Sequence, residues 1–282
     1  MKAATQHKTI VLGGKLFSFE SPKIMGIINL TPDSFYDGGK WNSEAEILTG
    51  VEKMLADGAD IIDIGGQSTR PGSESVSESE ELNRIIEPLK AIKKSFPDAL
   101  VSIDTFRANV ARAAIEEGAC LINDVAAASF EPEILSIAAK YKVPYIAMHK
   151  QGNPHTMQEN PQYDNVVEEV LNYLVFKQKE VLEAGVLDVI IDPGFGFGKT
   201  LEHNFMLLKS LERFQILEMP VLVGLSRKSM VCKALQTEPK YALNGSTALH
   251  MVALQNGADI LRVHDVKEAK ECLTLFQHLQ SA

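Results

Sequence analysis

Apolar positions along this chain gather in eight short runs, each ending in polar or small residues. They are IMGIINLT (24–31), ADIIDIGG (59–66), LVSIDT (100–105), CLINDV (120–125), PYIAMH (144–149), DVIIDPG (188–194), PVLVGLS (220–226) and DILRVHD (259–265). Each core is rich in β-branched residues and apolar at successive positions, the pattern of parallel strands buried on both faces. Helical periodicity fills the gaps. Ser43-Glu44-Ala45-Glu46 and Ser77-Glu78-Ser79-Glu80 read as capping boxes, and Gly58 ends the first helix. Leu82, Ile85, Ile86, Leu89 and Ile92 mark one face of the second helix. Further helices are expected over 107–117, 131–141, 164–184, 202–213, 227–236 and 267–280, with an extra one over 245–256. Strands alternating with helices eight times in one chain imply an α/β fold, a (β/α)₈ TIM barrel, with an open doubly wound sheet as the alternative. TIVLGGKLFSF, before the first barrel strand, reads as a hairpin turning at Gly13-Gly14 and suited to plug the barrel bottom. No linker or low-complexity stretch interrupts the rest, so residues 1–22 are assigned to the hairpin and 23–282 to one barrel domain.

Composition narrows the class without changing that picture. The 282 residues are 45% hydrophobic and 23% charged, as in an ordinary globular enzyme. MKAATQHKTI lacks the apolar stretch of a signal peptide, and no run approaches the length of a membrane span. Cys120, Cys232 and Cys272 form no C-x-x-C pair, which fits free thiols in a reducing cytoplasm. A net charge of −9 with interspersed cations argues against a nucleic-acid surface, though a local basic cluster can still hold a small anion.

In a barrel the active site forms at the C-terminal strand ends. There the sequence places Asn29, Asp63, Gly65, Gly66, Asp104, Asn123, His149, Asp192, Ser226, Arg262 and His264. A strand-end Asp or Asn alone more often caps the next helix. Asp104, Asn123 and Asp192 together, on three strands, offer acceptors to a ligand with adjacent N–H donors, such as the amino and ring N–H of a pterin or guanine. VIIDPGFGFGKT (189–200) mimics a Walker loop, but the first Walker glycine falls on Pro193, which supplies no N–H, and Asp192 would repel a triphosphate. Pro193 and the glycines instead bend the chain and bring Phe197 toward a flat ligand; a plain tight turn is the alternative. STRPG (68–72), SRKS (226–229) and RVHD (262–265) supply Thr69, Arg70, Lys228, Arg262 and His264, the basic side of the cavity, in which the Arg262–His264 pair beside Arg70 suits a diphosphate. His264 as a metal ligand has no second His or Cys at suitable spacing. Ser226 reads as an N-cap with Ser229 at N3, an anion site at a helix start. NLTPDSFYDGG (29–39) reads as a mobile lid.

NLTPDSFYDGG, GGQSTRPG, SIDT, IND, MHKQGNPHTMQ, DPGFGFGK, LSRKS and RVHDV together resemble the dihydropteroate synthase family, in the family's motif order from about residue 23 to the last helix. The resemblance implies a TIM barrel and a transferase that condenses 4-aminobenzoate with 6-hydroxymethyl-7,8-dihydropterin diphosphate. It implies that Asp104, Asn123 and Asp192 hold the pterin, with Lys228 at its carbonyl and ring nitrogen and Met148 packing nearby. Arg70, Arg262 and His264, with Thr69, would take the diphosphate. Asn29 would help bind Mg²⁺, and Asp33 or Asp37 would act when the first loop closes. Thr69, Pro71, Phe197, Lys228 and Ser229 match the aminobenzoate pocket, and the family precedent is a homodimer. Two positions depart from the family pattern: Gln67 stands where Glu is common, and Tyr36 where a small residue is. Two rivals remain: the pterin-binding module of corrinoid methyltransferases, which needs no diphosphate site, and a non-catalytic paralogue.

Overall fold

A computed structural model describes residues 8–31, 43–67, 76–152 and 161–282. Its centre is a sheet of parallel strands: β3 (Lys23–Asn29), β4 (Ile61–Gly65), β5 (Val101–Asp104), β6 (Leu121–Asp124), β7 (Tyr145–Met148), β8 (Val189–Asp192), β9 (Leu222–Val223) and β10 (Ile260–Val263). Hydrogen bonding runs in the order β8-β7-β6-β5-β4-β3-β10-β9. The two ends meet at a bridge between Ile191 and Val221, with Ile191 N donating to Pro220 O at 2.9 Å. That contact closes the barrel and rules out the open sheet. Strand residues are buried on both faces almost throughout, which explains the unbroken apolar runs.

The preceding hairpin, β1 (Thr9–Leu12) and β2 (Lys15–Ser18), pairs antiparallel through a two-residue turn. Gly13 (φ 58°) and Gly14 (φ 74°) both lie in the left-handed region that such a turn requires. An isolated hairpin is marginal in water. Here Ile10, Leu12 and Phe19 bury against Met25, Ile61, Leu121, Ile146, Ile190, Leu222 and Ile260, the inward residues at the strand starts. Three such side chains contribute roughly 5 kcal/mol or more. The barrel bottom is therefore packed shut, and any ligand must enter from the other end.

Helices α1 (Glu44–Ala56), α2 (Glu78–Ser95), α3 (Ala108–Glu116), α4 (Glu133–Tyr141), α5 (Val166–Glu183), α6 (Leu201–Lys209), α7 (Ser229–Leu235), α8 (Leu243–Gln255) and α9 (Val266–Ser281) surround the strands. No helix of the described residues is long and apolar enough to cross a membrane. Ser43 forms the expected capping box with Glu46. Ser77 caps α2, but the box is incomplete because the Glu80 carboxylate accepts from Arg84 Nε at 2.9 Å instead. The helix expected over 202–213 stops at Lys209, and a 3₁₀ segment follows at Leu211–Leu217. Leu211, Phe214 and Leu217 are its buried residues, and their spacing of three matches three residues per turn.

Candidate active site

Alternation along the strands decides which side chains enter the barrel. Cross-strand register sets Asn29 beside Gly65, Gly65 beside Asp104, Asp104 beside Asn123, and Met148 beside Asp192. These residues form one arc of the C-terminal rim. Arg262 reaches it from β10: its Nε donates to Asp63 Oδ2 and its Nη2 to Asp104 Oδ2, each at 2.6 Å. Asn123 Nδ2 donates to the same Asp63 oxygen at 3.0 Å. Four strands thus share one polar network, with two carboxylates to one guanidinium. Asp63 Oδ1 and Asp104 Oδ1 are buried and accept no hydrogen bond among the described residues. Such a site suits a ligand rich in N–H donors.

Burial drives the Asp104 carboxyl up to about 7, against the pull of Arg262 and with help from the Asp63 charge. A raised carboxyl pKa means that the fold prefers the neutral acid. This group's contribution to stability is therefore full below the ordinary value of 3.8 and lost as pH rises through about 7. Burial also raises Asp192, with the Lys228 ammonium as the main opposing influence. Lys228 is itself lowered by burial to about 8, although Asp192 draws it upward.

Asp192 opens a tightly wound loop. Its Oδ1 accepts from Gly194 N at 2.7 Å, and Gly194, Gly196 and Gly198 all have positive φ. A Cβ on Gly194 would lie 1.8 Å from His149 O, and one on Gly198 2.3 Å from Gln151 O. The loop presses on the exit of β7, so only glycine fits there. Lys199, the apparent Walker lysine, is buried and holds this coil together. Its Nζ donates to Gly194 O at 2.8 Å and Phe197 O at 3.0 Å, and meets His149 Nδ1 at 2.9 Å. Burial, then the Lys199 charge, lowers His149 to about 2, which leaves its Nδ1 a lone-pair acceptor. His149, expected at the rim, points the other way and packs edge-on against Tyr173 of α5 at 4.8 Å. Register explains the difference: Met148 takes the inward place, and the next residue must face out.

Lys228 Nζ donates to Phe195 O at 2.6 Å and sits 4.7 Å from the Phe197 ring centroid. Phe195 is fully buried, so the loop aromatic that remains accessible is Phe197, half-buried beside the lysine. On the far side, Ser226 Oγ accepts from His264 N at 3.3 Å and lies 3.2 Å from its Nδ1. The helix-start anion site expected from Ser226 and Ser229 is corrected. Arg227 adopts φ 54°, Lys228 is the N-cap of α7, and Ser229 is its first residue rather than N3. Arg227 is fully engaged in structure: Nε and Nη2 fork onto Asp265 at 2.7 and 2.8 Å, and Nη1 donates to Pro239 O and Lys240 O.

The structure therefore brings Asn29, Asp104, Asn123, Met148, Asp192, Phe197, Lys228, Arg262 and His264 to one end of the barrel. Ser229 is exposed at the start of α7. Asp33, Asp37, Tyr36, Thr69, Arg70 and Pro71 lie outside the described residues. No group of three or more His, Cys, Asp or Glu among the described residues could hold a metal. The sequence places Asp63 at a strand end without a role and gives Lys199 none once the Walker reading fails; partners 199 and 50 residues away decide both.

The family of pterin binding enzymes matches residues 25–264, from inside β3 to the residue after β10. That match alone also admits methyltransferase modules. A dihydropteroate synthase of Haemophilus influenzae is 46% identical over 270 residues, covering 95% of this chain and 98% of its own. The chain belongs to the dihydropteroate synthase family. Among solved members of the family, that of Yersinia pestis with a sulfonamide drug matches at a TM-score of 0.94 and 41% identity, covering 98% of this chain and 100% of that one. The Xanthomonas albilineans dihydropteroate synthase in complex with 7,8-dihydropteroate matches at 0.86 and 38%, covering 98% and 100%. The family match takes in all the barrel strands apart from the first two residues of β3, and leaves out the hairpin and α9.

Proposed function

We propose that this chain condenses 4-aminobenzoate with 6-hydroxymethyl-7,8-dihydropterin diphosphate, yielding 7,8-dihydropteroate and diphosphate. The observation that carries the reading is the acceptor array of Asp192, Asp104 and Asn123 sharing one rim with Lys228 and Arg262. Asp192 accepts the pterin amino and ring N–H, Asp104 and Asn123 meet the remaining ring nitrogens, and Met148 packs nearby. Lys228 serves the carbonyl and neighbouring ring nitrogen. Arg262 and His264, with Arg70 and Thr69, hold the diphosphate. Thr69, Pro71, Phe197, Lys228 and Ser229 receive the aminobenzoate.

The aniline nitrogen is a weak nucleophile and diphosphate a good leaving group, so the C–O bond breaks first. Its electron pair leaves with diphosphate, and the positive charge spreads over the pterin. The aniline lone pair then forms the C–N bond, and its proton passes to solvent. Catalysis on this path is charge stabilisation and positioning. Asp33 or Asp37 supports the cation. Asn29 lies at the rim, and its amide oxygen is a donor suited to Mg²⁺, an ion that takes most of its ligands from phosphate and water. Held with the help of Asn29, the ion would supply neutralisation of charge on the leaving group. The chain acts as a cytoplasmic homodimer, which sedimentation at working concentration checks.

Purified protein with Mg²⁺ and both substrates should form dihydropteroate, and sulfonamides should compete with 4-aminobenzoate. Folded protein that forms no product would favour a non-catalytic paralogue. A pH dependence follows from the rim. Asp104 loses its carboxylate form below about 7, and Lys228 loses its proton above about 8. The profile of kcat/KM for the pterin diphosphate should be a bell between those values, since it reports groups of the free enzyme. Asp104→Asn should remove the acid limb; an unchanged limb would exclude Asp104 as its source.

A further inference from the structure

Asp63 is among the most buried acids of the chain, at 1% exposure, yet the reaction as proposed gives it no contact with substrate. On β4 it pairs in register with Ser102, whereas Gly65, two residues further on, pairs with Asp104. Asp63 therefore lies one layer beneath the rim, under the residue that has no side chain. From there its Oδ2 accepts both Asn123 Nδ2 at 3.0 Å and Arg262 Nε at 2.6 Å. Because Oδ2 already accepts from Arg262 Nε, it meets Asn123 as an acceptor too, and the amide turns its nitrogen down toward Asp63. The Asn123 oxygen and second N–H are left for the rim, an acceptor beside a donor. The aminopyrimidine edge of a pterin has the complementary order: an exocyclic amino donor beside a ring-nitrogen acceptor. The same carboxylate, with Asp104, takes Nε and Nη2 of Arg262. Nη1 then has no partner among the described residues and remains available to an anion.

We propose that Asp63 is a positioning residue that locks the flip state of the Asn123 amide, and through it the order in which the rim reads the pterin edge. The proposal rests on the dihydropterin-binding reading above. A leucine at position 63 offers neither donor nor acceptor, so it would hold neither end of Asn123 and would release the lock, whereas an asparagine would keep its oxygen on Arg262 Nε and with it the lock.

The test is the Asp63→Leu variant, with turnover of the wild type confirming the underlying reading first. KM for the pterin diphosphate should rise at least about tenfold while KM for 4-aminobenzoate stays within about twofold, and the effect should largely vanish in an Asn123→Ala background. Equal losses for both substrates, unchanged pterin KM, or the same loss in both backgrounds would each overturn the proposal while leaving the reaction intact. Side-chain amide NMR gives a readout that needs neither activity nor the folding of Asp63→Leu. The Asn123 NH₂ pair, assigned by its disappearance in Asn123→Ala, should exchange slowly with solvent in the free wild-type protein. Rapid exchange would overturn the lock.

Discussion

Replacing Asp192 with asparagine is expected to weaken binding of the pterin diphosphate about 100-fold or more, the scale for removing one partner of a buried charge-assisted pair. The direction follows from the loop. Gly194 N–H needs the acceptor at Oδ1, 2.7 Å away, so the asparagine oxygen stays there. The new NH₂ must then occupy the other position and face the ligand's donors, setting donor against donor. The fold should not suffer. Burial already opposes the charged form of Asp192, and a neutral isostere relieves that cost while keeping the Gly194 contact. Calorimetric titration beside thermal melting separates the two effects. A dissociation constant within threefold of wild type would remove Asp192 from the pterin contact.

Gly194→Ala should damage the molecule through stability. The added Cβ would fall 1.8 Å from the His149 carbonyl oxygen, on a backbone at φ 71°. Backbone cannot yield as a flexible side chain does. Overpacking and left-handed strain together cost about 2–5 kcal/mol. At roughly 2–4 °C per kcal/mol for a chain of this size, the melting temperature should fall by around 10 °C. Gly224→Ala is the control, because its nearest neighbour, Lys228 Nζ, lies at 3.7 Å. Equal melting temperatures for the two variants would mean that the loop does not press on the β7 exit as described.

The contrast between these glycines indicates what a sequence can carry. The barrel was legible because buried parallel strands write themselves as continuous apolar runs, and every run from 24–31 to 259–265 contains a strand. The hairpin was legible because Gly13-Gly14 supplies the two positive φ angles of its turn. Strand-end residues such as Asp104, Asn123, Asp192 and Arg262 were legible because fold class alone places them on one rim. Partner choice was not. Ser77 has the spacing of a capping box, but Arg84 competes for Glu80. Ser226 has the character of an N-cap, yet a left-handed Arg227 moves the helix start to Ser229. His149 sits where a rim histidine would, but parity turns it outward to Tyr173. Asp63 serves two residues on two other strands, a relation visible only once the barrel is closed.

The most direct test is a crystal structure of this chain with the pterin diphosphate bound. The account predicts the ring seated with its amino and ring N–H on Asp192, Asn123 and Asp104 flanking it, and the diphosphate leaving toward Arg262 and His264. A ring bound away from Asp192, or a diphosphate lodged elsewhere than beside Arg262, would contradict it.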